Sequence, residues 1–98
     1  MNLKKYRWSK VYESAEEELQ EFLLARNIAA ERHDIEAYDE QTIHTATAIR
    51  IWGVEGNASF VVGAKRYSMQ PGDVLELPAD SEYTITTGLS NFAWYQSA

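Results

Sequence analysis

The sequence predicts an all-β domain, a barrel or sandwich, with one helix near its start. Short runs rich in β-branched and aromatic residues recur along the chain at intervals of about 8–12 residues. Turn-forming pairs separate them, among which are Gly56-Asn57, Gly63-Ala64 and Pro71-Gly72. Helical periodicity is confined to residues 15–26. A chain of 98 residues is long enough for one modest hydrophobic core, so we expect a single domain over residues 1–98.

The chain begins with an aromatic strand followed by a capped helix. Residues 1–13 are assigned to an N-terminal strand, because aromatic residues alternate with polar ones between residues 5 and 12. Residues 14–27 are assigned to the helix: Ser14 and Glu17 have the spacing of a capping box. Asn27 is suited to a left-handed helix terminus, against which Ile28 would fold back. One apolar stripe, which should pack on the outside of the barrel, comprises Ala15, Leu19, Phe22, Leu23 and the stem of Arg26.

Residues 28–98 are predicted to form the barrel. The strand patterns cover residues 28–38, 42–54, 58–62, 66–69, 75–77, 83–87 and 92–95. Gly63-Ala64 and the segment 88–91 are predicted hairpin turns. Alternation places Glu76 toward solvent and Trp52 away from the barrel interior, in a helix-packing or dimer contact. Of Trp94 and Tyr95, one faces inward, and the pattern leaves open which.

Two short motifs resemble those of the cupin superfamily. The second motif is matched by Gly72-Asp73 and Pro78-Ala79, with five residues between Gly72 and Pro78. The first motif ends at Gly56. The resemblance runs from about residue 49 to the C-terminus, and the order of elements is similar to small single-domain bacterial cupins. It implies a jelly-roll barrel of six to eight strands with an internal pocket, and a homodimer. The helix over residues 15–26 would then lie outside this cupin-type barrel.

The same alignment implies that the usual cupin metal ligands are replaced. Ile43 and Thr45 stand at two histidine positions, Ile49 at the glutamate position and Tyr83 at the third histidine position. Isoleucine and threonine are not metal ligands of the usual kinds, and a single phenol is a poor one. Asp80 stands where the motif usually has glycine. We therefore expect no metal and no cofactor, and an apolar pocket lined by Ile43, Thr45, Ile49, Leu75, Leu77, Tyr83 and Trp94.

Three functions follow from these observations. The favoured one is a non-catalytic cupin that binds a small organic ligand in the barrel, with Tyr83 either donating to that ligand or filling the core and bonding to Thr45 or water. A metal-dependent isomerase or dioxygenase would need His33, His44 and Glu31 to come together, through a β-bulge and a tight hairpin at Tyr38-Asp39. A structural or interaction domain is the third, with residues 6–12 pairing across a dimer.

Composition excludes several other classes. A net charge of −6 argues against binding to nucleic acid. No run approaches the roughly 20 apolar residues of a membrane span, so we expect no membrane partner. The N-terminus is basic without an apolar signal segment, and the chain has no cysteine. We therefore expect a cytoplasmic protein without disulfides.

Overall fold

The computed structural model describes residues 3–8 and 16–98, and these residues form two antiparallel sheets and one helix. The predicted helix is confirmed, and so is each strand predicted beyond residue 57. Ser14, Ala15 and residues 9–13 of the predicted first strand lie outside the described residues. The elements are β1 Lys4–Arg7, α1 Glu16–Ala25, β2 Ala30–Ile35, β3 Glu40–Thr45, β4 Ile49–Glu55, β5 Ala58–Val62, β6 Lys65–Met69, β7 Asp73–Leu77, β8 Ser81–Thr87 and β9 Phe92–Ser97.

The two sheets interleave the chain as a jelly roll does. One sheet has the order β1-β7-β4-β9-β2 and the other β3-β8-β5-β6. Neighbours in sequence, such as β2 and β3 or β8 and β9, therefore lie in different sheets. The predicted hairpin over residues 88–91 is wrong, and the single strand predicted over 42–54 is two strands in opposite sheets. Turn residues specify a bend in the chain but not the strand with which the next segment pairs.

An inner core fills the space between the sheets. Strand alternation sends Ile51, Phe60, Leu75 and Ile85 inward, and each is fully buried. We call this cluster the inner core; it consists of Ile35, Ile49, Ile51, Ala58, Phe60, Met69, Leu75, Leu77, Tyr83, Ile85, Phe92 and Trp94. Trp94 is thus the inward member of the Trp94-Tyr95 pair, and Tyr95 lies on the opposite face.

An outer core lies between α1 and the outward face of the five-stranded sheet. Leu19 and Leu23 of α1 are buried there, as the helical stripe predicts. Phe22 contacts the ring of Trp52 at a centroid distance of 5.7 Å, which confirms the helix-packing role predicted for Trp52. The outer core comprises Leu19, Leu23, Trp52, Val54, Val74, Ala93 and Tyr95. In the described part of the chain, no helix is both long and apolar enough to cross a membrane.

The helix ends as predicted. Asn27 has a φ of 55°, in the left-handed region. The amide of Ile28 donates to the Leu23 carbonyl at 2.9 Å, and that of Asn27 donates to the Leu24 carbonyl at 3.1 Å. This pair of bonds is a Schellman motif, and Ile28 packs back against the outer core.

Strand β1 is clasped to the turn before β7. It ends at Arg7 rather than near residue 12, and Trp8 lies in a bend. The carboxylate of Asp73, which is buried, accepts from Arg7 Nη1 at 2.7 Å and from the amide of Gln70 at 2.9 Å. The Tyr6 hydroxyl donates to Glu76, so Glu76 lies on the outward face and is half-buried there. β1 therefore pairs with β7 of its own chain.

The motif residues occupy the turns that require them. A side chain at Gly56, which has a φ of 73°, would place its Cβ 1.8 Å from the Asn91 carbonyl oxygen. Gly72 has a φ of 94°. Asp80 keeps the left-handed conformation at 59°, where the motif usually has glycine. Aspartate is one of the few residues that tolerates this region, so the substitution preserves the turn.

Candidate functional site

The predicted pocket residues converge on the inner core. Ile49, Leu75, Leu77, Tyr83 and Trp94 belong to this single cluster, and Ile43 packs against it while partly exposed. Ile43 and Tyr83 are direct cross-strand partners on β3 and β8, while Ile49 lies in the opposite sheet. Thr45 stands apart: it pairs with Ser81, and its hydroxyl donates to the Thr47 carbonyl at 2.7 Å. The hydrogen bond considered between Tyr83 and Thr45 is therefore not formed.

Phe60, which the sequence analysis missed, is the centre of this site. It stacks on Tyr83 with a centroid distance of 5.9 Å. It meets Phe92 edge-on at 5.8 Å and Trp94 edge-on at 6.5 Å. The strand alternation of residues 58–62 could have placed it inward with Ala58 and Val62. Phe60 thereby joins the aromatic residues of the two sheets into one assembly.

Two polar groups in this assembly lack partners. Trp94 is 3% exposed, and its indole Nε1 has no hydrogen-bond partner among the described residues. Tyr83 is 1% exposed, and the described residues provide no hydrogen bond to its hydroxyl. Burial raises the pKa of the Tyr83 phenol, so it is a neutral donor at physiological pH. A buried donor without an acceptor costs about 1–3 kcal/mol, which makes the Trp94 indole N–H a candidate for binding an acceptor. The indole N–H of Trp8, which packs against the outer core, is also buried without a partner.

A groove opens where β2 and β4 begin and β9 ends, and neither Trp94 nor Tyr83 lines it. Its volume is about 320 Å³, and Ile49 of the inner core lies in its wall. Its other lining residues include Ala30, Glu31, Thr47, Gln96 and Ser97. Gln96 and Trp94 project from the same face of β9, where residues two apart are separated by about 7 Å. Trp94 is therefore one strand step along β9 from Gln96 in the groove wall.

His33 joins the groove to the aromatic assembly. It is the cross-strand partner of Trp94, and the two rings stack at 5.5 Å. Its Nε2 lies 3.8 Å from Glu31 Oε2, so Glu31 and His33 share a face as the sequence predicts. The Glu31 carboxylate lines the groove. The site therefore combines the hydrogen-bond donors of Trp94 and Tyr83 with the Glu31 carboxylate, which lies beside the His33 imidazole.

The alternative metal set is not brought together. It needs a hairpin between β2 and β3, but β2 pairs with β9 and β3 pairs with β8, so that prediction is wrong. His33 faces Trp94, whereas His44 faces Glu82 in the other sheet and is exposed. Within the described ranges, no three His, Cys, Asp or Glu side chains are placed to hold a metal ion. The positions Ile43, Thr45, Ile49 and Tyr83 offer only one threonine hydroxyl and one phenol, which do not fit a cupin metal.

A second polar network lies outside the barrel and joins α1 to the sheet. The Tyr95 hydroxyl donates to Glu16 Oε2 at 2.7 Å and accepts from Gln20 Nε2 at 2.8 Å. Arg32 Nε donates to the same Glu16 oxygen at 2.8 Å. The bond from Tyr95, opposed by burial and assisted by Arg32, lowers the pKa of Glu16. Every group in this network has a partner, so it serves the fold.

Comparison with known proteins finds similarity at the level of structure. No protein-family model matches the sequence, and no curated protein matches it. A DUF861 family protein from Thermotoga maritima matches with a TM-score of 0.66 at 16% identity, over 97% of each chain. A cupin superfamily protein from Desulfitobacterium hafniense matches with a TM-score of 0.64 at 12% identity, over 99% of this chain and 76% of that one.

An enzyme is among the similar structures. The DMSP lyase DddQ from Ruegeria pomeroyi matches with a TM-score of 0.66 at 19% identity, over 71% of this chain. The match covers 36% of the lyase, so this chain corresponds to about a third of that protein. Cupin-fold neighbours thus include both enzymes and uncharacterised proteins, and identities this low establish the fold alone. With two antiparallel sheets and one outer helix over residues 3–8 and 16–98, the domain has the small all-β jelly-roll fold of the cupins.

Proposed function

We propose that this domain binds a small organic molecule carrying a hydrogen-bond acceptor, such as a carbonyl or carboxylate, and that it does so as a metal-free, non-catalytic homodimer. The observation that carries the proposal is the buried Trp94 indole N–H without a partner. A ligand acceptor at this point would compensate the unsatisfied donor, and the Tyr83 hydroxyl offers a second donor in the same assembly.

The groove limits the size and chemistry of such a ligand. A volume of about 320 Å³ suits a small molecule. Its apolar part would lie against Ile49, while its acceptor would reach toward Trp94. Ile43, Leu75 and Leu77 belong to the inner core or pack against it, behind the groove wall, and a ligand would contact them only by entering the core. Glu31 and Gln96 at the rim would contact any donor on the ligand. The remaining predicted residue, Thr45, lies on β3 at the same end of the barrel as Tyr83.

The test uses the indole resonances of the protein itself. The buried Trp52 serves as the internal control, because its Nε1 already donates to Ser97 Oγ at 2.9 Å. We expect a library of small carboxylic acids and amides, added to ¹⁵N-labelled protein, to contain members that shift the Trp94 indole resonance and leave that of Trp52 in place. The substitutions Trp94→Phe and Trp52→Phe assign the two resonances.

Affinity measurements on the responding compound complete the test. Loss of one neutral hydrogen bond corresponds to about 1 kcal/mol, so Tyr83→Phe should weaken binding about fivefold. Tyr95→Phe, on the outer face, should leave the affinity unchanged. A library in which no compound shifts the Trp94 resonance would refute the proposal, as would equal effects of the two Tyr→Phe substitutions.

A further inference from the structure

The edge strands of the two sheets differ in how they are protected. Among the described residues, the edge strands of the five-stranded sheet are β1 and β2, and those of the four-stranded sheet are β3 and β6. Charged side chains on an edge oppose pairing with another chain. Three edges carry several charges, namely Lys4, Lys5 and Arg7 on β1, Glu31, Arg32 and Asp34 on β2, and Lys65 and Arg66 on β6. Strand β3 carries one, Glu40, at its first position.

We propose that β3 is a self-association edge, which pairs antiparallel with β3 of a second copy about a two-fold axis. This inference rests on the homodimer of the proposed function and is independent of the ligand. It differs from the dimer of the third functional alternative, in which residues 6–12 pair across the interface, because it uses an edge of the other sheet. The pairing would join two four-stranded sheets into one of eight strands.

Backbone hydrogen bonds determine which groups of β3 are free. The amide of Thr87 donates to the Asp39 carbonyl at 3.0 Å, so the backbone of Asp39 points toward β8. The directions of the backbone N–H and C=O groups alternate along a strand, so those of Gln41 and Ile43 also point toward β8. The amide and carbonyl of Thr42 and of His44 are directed to the open edge.

These directions restrict the register of a two-fold pair. Even-numbered residues must face even-numbered residues for their hydrogen bonds to form. A register centred on Thr42 places Glu40 opposite the partner subunit's His44, and it does so twice because of the symmetry. His44 also faces Glu82 of its own chain. A register centred on Ile43 would leave Glu40 outside these pairs, so the pairing of the Glu40 carboxylate with the partner subunit's His44 imidazole favours Thr42 at the axis.

Exposed apolar side chains beside β3 add to this surface. Tyr38 is 75% exposed and has a φ of 56°, an unfavourable conformation for an aromatic residue. Its amide donates to the Gly88 carbonyl at 2.9 Å, which holds it at the end of β3. In the register centred on Thr42, Tyr38 falls opposite the partner subunit's Ala46. Tyrosine is enriched at such contacts, and Ile43, which is partly exposed, would also be covered.

A cysteine at the axis tests the register. The chain has no cysteine, so one can be introduced alone. Facing residues of a hydrogen-bonded antiparallel pair have Cα atoms about 5.5 Å apart, within the range of a disulfide. We expect Thr42→Cys, oxidised with diamide, to give a covalent dimer. His44→Cys, which is also on the edge but away from the axis, is the matched control and should give at least tenfold less covalent dimer.

Sedimentation equilibrium tests the charge pairing. We expect the wild-type protein to form a dimer whose association constant falls at least tenfold in Glu40→Lys. The double substitution Glu40→Lys with His44→Glu should restore part of that association constant. Glu21→Lys on the exposed side of α1 makes the same charge change and should have no effect. Circular dichroism melts verify that each variant is folded.

The outcomes separate the two proposals. A wild-type dimer that is insensitive to Glu40→Lys, or that cross-links equally at residues 42 and 44, overturns the β3 interface and leaves the homodimer. A monomer at all concentrations overturns both the interface and the homodimer, while ligand binding is judged separately by the Trp94 resonance.

Discussion

The inner and outer cores each contain one tryptophan and one tyrosine, and the two pairs differ in the hydrogen bonds that their side chains form. Trp52 and Trp94 are both 3% exposed. In the outer core the Trp52 indole donates to Ser97 and the Tyr95 hydroxyl has two partners. In the inner core the Trp94 indole has no partner among the described residues, and neither has the Tyr83 hydroxyl. Trp52 and Trp94 are thus equally buried but differ in hydrogen bonding: the Trp52 indole stabilises the fold, and the Trp94 indole leaves a donor that the proposed ligand would satisfy. Trp8, which packs against the outer core, also has a buried indole N–H without a partner.

The largest expected effect breaks the inner core. Phe60→Ala removes the ring that contacts Tyr83, Phe92 and Trp94. Phe60 is fully buried, so the free energy of unfolding should fall by about 3–5 kcal/mol. Leu24→Ala is the control, since Leu24 is exposed on α1, and it should change stability by no more than about 0.5 kcal/mol. Urea unfolding followed by fluorescence measures both. A cost for Phe60→Ala below 1 kcal/mol would show that the inner core is loosely packed.

A smaller effect sharpens the comparison between the cores. Tyr95→Phe removes the hydrogen bonds with Glu16 and Gln20 and should lower the free energy of unfolding by about 1–2 kcal/mol. Tyr83→Phe removes a hydroxyl without a described partner, so it should be neutral or slightly stabilising. Both proteins are measured by urea unfolding without added ligand. If Tyr83→Phe costs as much as Tyr95→Phe, an internal water or another group satisfies the inner hydroxyl, and the contrast between the cores is lost.

The sequence predicts the elements of this fold better than it predicts their partners. The strand at residues 58–62 and the Schellman motif at Asn27 follow from local chemistry and are confirmed. The hairpin predicted over residues 88–91 is wrong, and the hairpin at Tyr38-Asp39 that the metal alternative requires is not formed, because each segment crosses to the other sheet. Which strand a segment pairs with depends on burial of both faces across the whole domain, and a turn pair carries no information about that.

The members of the inner core were predictable in part, but their hydrogen bonding was not. Alternation within β9 left Trp94 and Tyr95 equivalent, and only the helix over the outer sheet distinguishes them. Phe60 was missed because no motif position pointed to it. Whether an indole has an acceptor depends on residues distant in sequence, as Trp52 and Ser97 illustrate. That information comes from packing, so the unpartnered donors emerge only from the structure.

The smallest expected effect concerns the outer network and its dependence on pH. The pKa of Glu16 is lowered from its ordinary value of 4.5, chiefly by the hydrogen bond from Tyr95. The folded state thus favours the carboxylate, and its contribution to stability is present above pH 4.5 and is lost as the pH falls through the folded pKa. Glu16→Gln should therefore destabilise the protein at pH 7 by no more than about 1 kcal/mol, since the pair is partly exposed, and the deficit should shrink toward pH 3. Urea unfolding of both proteins at several pH values measures the deficit. Tyr83→Phe is the control, because the inner phenol stays neutral across this range, and its difference from wild type should not vary with pH. A Glu16→Gln deficit that is constant from pH 7 to pH 3 would mean that Tyr95 holds α1 without help from the charge.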